Sequence, residues 1–157
     1  MFARVTSLGV FALHGFVVTV EADISRGLPQ FELVGLPDSA VKESRDRVRS
    51  ALKNLGFSFP ASRITLNLAP ADQRKTGPVY DLPILLGVLA ASGQIAALPP
   101  DAAFLGELSL AGEVRPVRGA LSMAIAAQNA GVRTLYLPAE NAAEAAVLPG
   151  LAVYGVR

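Results

Sequence analysis

The chain has 157 residues, 52% of them hydrophobic and 17% charged, with a formal net charge of +1. This length and composition fit one globular domain with a real core and exclude a disordered tract, while the near-neutral charge argues against a dedicated polycation and leaves only a local basic patch open. With no cysteine, the chain has no disulfide, thiolate zinc site or cysteine nucleophile; its single histidine, His14, disfavours a transition-metal site and leaves an oxygen-ligand site open.

The first third reads as strands. Ala3 to Leu8 alternates polar and apolar residues, Gly9 reads as a break, and Phe16 to Ala22 is rich in β-branched residues. Leu28 to Val34 follows and ends at Gly35-Leu36-Pro37, so the three segments predict an antiparallel meander. His14 falls in a turn, Leu13-His14-Gly15, and reads as a surface residue. The N-terminal Met-Phe-Ala-Arg-Val-Thr-Ser has no signal-peptide pattern, and the longest apolar runs are shorter than a bilayer span and interrupted by Pro or Gly; the expectation is a cytoplasmic protein without a membrane partner.

Asp38 is placed to cap a helix whose apolar stripe is Val41, Val48, Leu52 and Leu55, with Ala51 between and Gly56 as the stop. Its other face carries Lys42, Arg45, Arg49 and Lys53, and Glu43 to Arg47 is a favourable pair four residues apart. Arg63 to Leu68 alternates as a strand, and a polar loop, Ala69 to Tyr80, comes next. Asp81 then reads as the cap of a helix over Leu82 to Ala91, with Pro83 tolerated in its first turn. That helix is apolar on nearly all sides and should be buried.

After the break at Leu98-Pro99-Pro100, Ala103 to Leu110 and Glu113 to Val117 flank Ala111-Gly112, a hairpin signal. A small-residue helix over Gly119 to Ala130 follows, then a short strand Thr134 to Leu137, a helix Pro138 to Ala146 and a strand Leu151 to Val156. Strands first and mixed elements afterwards predict an α+β fold, as one domain over residues 1–157.

Two groups of cations are candidates for contact with an anion or nucleic acid. Arg74-Lys75 lies in the polar loop, where it reads either as a phosphate contact or as a solvated loop. The face Lys42, Arg45, Arg49, Lys53 could track a nucleic-acid backbone or be an ordinary exposed helix face, with Glu43 and Asp46 interleaved; neither group has aromatic residues interleaved for base stacking. Asp72, Asp81 and Glu107 could be read as an acid/base set, but a loop acid, a helix cap and a strand residue explain them as well. No Gly-x-x-x-x-Gly-Lys-Ser/Thr phosphate loop occurs, so nucleotide hydrolysis by this chain is not expected.

The loop around Gly77-Pro78 resembles the one that carries the catalytic serine in Ser-Lys (Lon-type) proteases, and Gly106-Glu107 through Arg118-Gly119 resembles the hairpin that precedes their catalytic lysine. Here the two dyad positions hold Val79 and Leu121. A dyad needs a hydroxyl beside a desolvated amine, and the chain's only lysines are Lys42, Lys53 and Lys75. A displaced peptidase would have to use Ser109 or Ser122 with Lys75.

Phe31-Glu32-Leu33-Val34-Gly35-Leu36-Pro37-Asp38-Ser39-Ala40-Val41-Lys42, continuing to Arg49, is similar to the N-terminal domain of magnesium-chelatase-like AAA+ ATPases of the ComM/YifB type. Asn67-Leu68-Ala69-Pro70-Ala71-Asp72, Asp81-Leu82-Pro83-Ile84 and Leu137-Pro138-Ala139-Glu140-Asn141 are similar to three further blocks, which Lon-type proteases and the C-terminal domain of the RadA recombination ATPase share. The resemblance implies a ribosomal protein S5 domain 2-like (Lon protease domain-like) fold. It also implies a downstream ATPase module that uses ATP and magnesium, absent from this chain, and a hexameric parent that moves DNA branches during natural competence. On that reading this domain is a non-catalytic accessory without a cofactor or metal of its own. It would assist assembly, DNA contact or both, with a pure protein-interaction module as the alternative.

Overall fold

A computed structural model describes residues 1–157. In chain order, β1 (Phe2–Phe11), β2 (His14–Ser25) and β3 (Gln30–Val34) lead into α1 (Ser39–Lys42), α2 (Ser44–Asn54) and β4 (Arg63–Ala69). A 3₁₀ turn, Pro78–Tyr80, opens α3 (Asp81–Ala91). The rest comprises β5 (Ala102–Phe104), β6 (Glu107–Leu108), β7 (Val114–Arg115), α4 (Ala120–Asn129), β8 (Thr134–Pro138), α5 (Ala142–Ala145) and β9 (Ala152–Val156). Seven strands form one mixed sheet in the order β3-β4-β2-β1-β5-β8-β9, and β6 and β7 make a separate small hairpin.

β1 and β2 are antiparallel, paired from Phe2–Asp23 to Phe11–His14. Their tip takes positive φ at both Ala12 (46°) and Leu13 (73°), the turn geometry that matches the twist of a tight hairpin. Gly9 does not break β1. It pairs with Phe16, and a Cβ there would stand 2.2 Å from the Tyr80 hydroxyl and 2.6 Å from the Phe16 ring, so the glycine makes room for two aromatic rings.

The first three strands do not form a meander. β4 inserts between β2 and β3, antiparallel to β2 and parallel to β3. Burial explains the order: Ile64, Leu66 and Leu68 of β4 are fully buried and suit a central strand, whereas β3 alternates half-buried and exposed residues and suits an edge.

Helices cover both faces. Gly87 of α3 lies against Val5, Val20 and Ala22, while Gly15 of β2 touches Ser122 and Ala126 of α4. Gly15 and Val20 are an odd number of residues apart on one strand and so point to opposite faces. As its composition predicts, α3 is central, with all but two of its residues buried. The helix expected from Asp38 onward is interrupted at Glu43, giving α1 and α2; Asp38 does cap it, accepting from the Val41 amide at 2.8 Å. Val48 and Leu52 of α2 are fully buried, worth about 1.5–3 kcal/mol each.

Asp81 is not a helix cap. Its fully buried carboxylate accepts from Arg47 Nε (2.6 Å), Arg47 Nη2 (3.0 Å) and the Leu108 amide (3.0 Å). Arg47 therefore pairs across the core with Asp81 rather than along its own helix with Glu43. The predicted 103–117 hairpin is also shorter. Gly106, at φ 156°, separates β5, which joins the main sheet, from β6.

Candidate nucleic-acid interface

The basic face of α2 is built as its spacing requires. With Val48, Ala51 and Leu52 turned inward, Arg45, Arg49 and Lys53 stand on the solvent side. These three line a cleft of about 650 Å³, bordered by the loop from Phe57 to Ser62, by Pro29 and by Gln30 and Phe31 at the start of β3. No carboxylate lines it. Arg49 and Lys53 have no carboxylate within ion-pair distance, and Arg45 meets Asp46 at 3.7 Å with both groups largely exposed, a contact worth about 0–1 kcal/mol. Lys42 lies apart, in a neighbouring depression that it shares with Arg45 and with two carboxylates, Glu43 and Asp46.

Aromatic residues join this face through the end of α2. Gly56 at φ 87° closes the helix: its amide donates to Lys53 O (3.2 Å) and the Phe57 amide to Leu52 O (2.9 Å), the two bonds of a Schellman stop. Phe57 is thereby held beside Lys53. Gln94, just past α3, clamps the loop by accepting from the Ser58 amide (3.0 Å) and donating to Ser58 O (2.9 Å). Phe59 then stacks on Phe31 with centroids 6.0 Å apart, and the Arg49 guanidinium lies 5.0 Å from the Phe59 ring centre. A cation over a ring at the surface gains about 0.5–1 kcal/mol, and here it sits on a half-buried one. No aromatics are interleaved with the cations along the sequence because these rings come from β3 and from the loop beyond the helix. The readable signal is Leu55-Gly56-Phe57-Ser58-Phe59-Pro60, a glycine stop followed by two rings.

The second predicted cation pair is split. Arg74 is exposed, but Lys75 is fully buried, its Nζ donating to Gly35 O (2.8 Å) and to Pro70 O. Its backbone also joins the two segments, with the Lys75 amide donating to Leu36 O and the Asp38 amide to Lys75 O, each at 3.0 Å. Burial lowers the Lys75 pKa, and the charge of Asp72 opposes this. Lys75 is thus an internal brace, not a phosphate contact.

The two protease-like positions differ in their surroundings. Val79 is 7% exposed and lines a cavity of about 330 Å³ with Thr76, Gly77, Glu107 and Arg118, whereas Leu121 is 40% exposed on α4 and does not line it. The Gly77 amide donates to Asp38 Oδ2 at 3.1 Å. Tyr80, next to Val79, is buried, and burial together with the charge of Asp38 pushes its phenol pKa up, so it stays protonated. Ser109 Oγ accepts from the Glu113 amide at 3.0 Å, and no hydrogen bond joins Ser109 or Ser122 to Lys75. Asp72 is exposed, and Asp81 is held by Arg47. His14 is exposed at the hairpin tip. No group of three or more His, Asp or Glu side chains is placed to hold a metal ion, and no helix is long and apolar enough to cross a membrane.

A mixed sheet with a Gly-Pro loop opening a buried helix, followed by a small hairpin, defines an α+β domain of the Lon-like class, here with valine at the serine position. The model of the family described as subunit ChlI of Mg-chelatase matches residues 20–141, and the chain belongs to that family. It is 52% identical over 132 residues to the uncharacterized protein YifB of Salmonella typhimurium, covering 83% of this chain and 26% of that protein. It is 48% identical over 147 residues to the competence protein ComM of Haemophilus influenzae (93% and 29%). To the Lon protease of Mycolicibacterium smegmatis it is 31% identical over 143 residues (87% and 18%). The chain thus spans less than a third of the length of each of these relatives.

Proposed function

We propose that this chain is a non-catalytic accessory domain of a magnesium-chelatase-like AAA+ ATPase that handles DNA. Its cleft of Arg45, Arg49 and Lys53 would contact the phosphate backbone. The carrying observation is that three cations face one cleft and no carboxylate lines it. On this reading a downstream module supplies ATP and magnesium chemistry, the parent assembles as a hexamer, and the motor drives branch migration during natural transformation. The similarity to a protein named for competence supports the biological setting. Valine at the serine position and the internal engagement of Lys75 support the absence of peptidase chemistry.

Fluorescence anisotropy with labelled DNA across a salt series tests the contact. Phosphate contacts release counterions, so log K falls linearly with log salt at a slope of roughly −0.7 to −0.9 per contact. The variant Arg49→Gln/Lys53→Gln should bind more weakly on every DNA and show a shallower slope by about 1.4–1.8. If the unmodified chain shows no salt-dependent binding even at low salt, the DNA reading is wrong and a protein-interaction module takes its place.

A further inference from the structure

We infer that the α2 cleft is a base-stacking subsite which selects unpaired, single-stranded nucleic acid, with Phe57 as the open platform; this rests on the nucleic-acid reading above and names its substrate class. Phe59 and Phe31 stack on each other and pack against the core, and Arg49 covers Phe59, so their rings already have partners. Phe57 is 38% exposed and, unlike those two rings, has no aromatic or cationic side chain stacked on it. It nevertheless stands in a fixed position, between the Schellman stop on one side and the Gln94 clamp on Ser58 on the other. A rigid, exposed ring within a cleft lined by arginine and lysine is what a flipped base with its phosphate requires: a face for the base and charge for the backbone.

Duplex DNA cannot use this arrangement. Its bases present edges in the grooves and keep their faces stacked, so a stacking ring finds no free base face there. The cleft volume of about 650 Å³ lies within the roughly 300–1,000 Å³ common for ligand pockets. An acidic peptide would satisfy the cations but leave Phe57 without a partner. The observations therefore favour a single strand.

The test uses this chain with a labelled thymidine 12-mer, the corresponding 12-base-pair duplex and an abasic strand of equal length, with poly-glutamate as competitor. The proteins are the unmodified chain, Phe57→Leu, which keeps an apolar side chain at that position, and Arg49→Gln/Lys53→Gln, each checked for an unchanged thermal transition. The expected result is preference for the thymidine strand over both others. Phe57→Leu should lose roughly five- to a hundredfold in affinity for that strand, with duplex and abasic binding unchanged, while the double variant weakens all three. If Phe57→Leu leaves the thymidine strand unaffected while salt-dependent binding persists, the inference fails and the backbone contact stands. Absence of binding to any nucleic acid overturns both. Displacement of the thymidine strand by poly-glutamate at equal charge, with no effect of Phe57→Leu, assigns the cleft to an acidic peptide and overturns the inference.

Discussion

The Arg47–Asp81 pair welds the helix that carries the cleft to the rest of the core, and removing one partner should expose an asymmetry. Asp81 is fully buried, whereas the Arg47 side chain retains 22% exposure. Arg47 also donates to Ala40 O at 2.8 Å, so it ties α1, α2 and α3 together, while Asp81 adds the Leu108 amide of β6. Arg47→Met strands a buried carboxylate; breaking one side of a buried pair costs about 3–5 kcal/mol. Asp81→Asn keeps an oxygen for the Leu108 amide and leaves a guanidinium that water can reach, so its cost should be that of a charged hydrogen bond, about 1.5–3 kcal/mol. At about 2–4 °C per kcal/mol for a chain of this size, the shifts in Tm are roughly 6–20 °C and 3–12 °C.

The Arg47→Met deficit should also depend on pH. Burial already pushes the Asp81 pKa upward, opposed by the hydrogen bonds from Arg47 and Leu108. Without Arg47 the carboxyl is raised further above its ordinary 3.8, so the folded variant binds more protons than its unfolded chain. Its stability is then fully present below the ordinary value and falls as pH rises through the raised one. Urea unfolding at pH 5 and pH 8, read as midpoint changes at constant m, measures this. A cost below about 1 kcal/mol for Arg47→Met, the range of a surface pair, would refute the reasoning. So would an Asp81→Asn cost equal to or above it.

The buried Lys75 predicts the opposite pH sign. Its folded pKa is lowered by burial, so the folded state releases its proton first, and the stability of the unmodified chain should rise as pH approaches the ordinary lysine value of 10.5. The difference in urea midpoint between the unmodified chain and Lys75→Met should grow over that window; a flat difference would show that Lys75 titrates as though exposed. Val79→Ser restores the hydroxyl type at the protease-like position but no amine to activate it. It should neither cleave casein nor be acylated by a fluorophosphonate, and labelling of the introduced hydroxyl would show that a base stands nearby.

Much of the fold was legible because local patterns and burial agreed. The period-two alternation of Arg63 to Leu68, the stripe Val41-Val48-Leu52 and the all-round apolarity of Leu82 to Ala91 each demand one environment, and each received it; Leu55, the last member predicted for that stripe, lies past the helix end and is 49% exposed. The errors arose where a residue serves a distant neighbour. Gly9 is small for Tyr80, Asp81 is acidic for Arg47 rather than for its own helix, and Lys75 is basic for the carbonyls of Gly35 and Pro70. Each looked like a local signal of a break, a cap or a solvated loop. Half of the candidate site was visible in the same way: the cations share one helix face, but their aromatic partners do not.

By itself, then, the sequence determined the class of domain, the family resemblance and the presence of Val79 and Leu121 in the protease-like blocks, because residue identity and short-range periodicity carry those directly. Only the tertiary structure decided which cations are free, which are internal, and that Phe31, Phe57 and Phe59 gather beside Arg49 and Lys53. That placement depends on β4 entering between β2 and β3, on a glycine stop at Gly56 and on the Gln94 clamp. These contacts join residues far apart in the chain, and their choice rests on which strand is paired along both edges, a property of the assembled sheet rather than of any one segment.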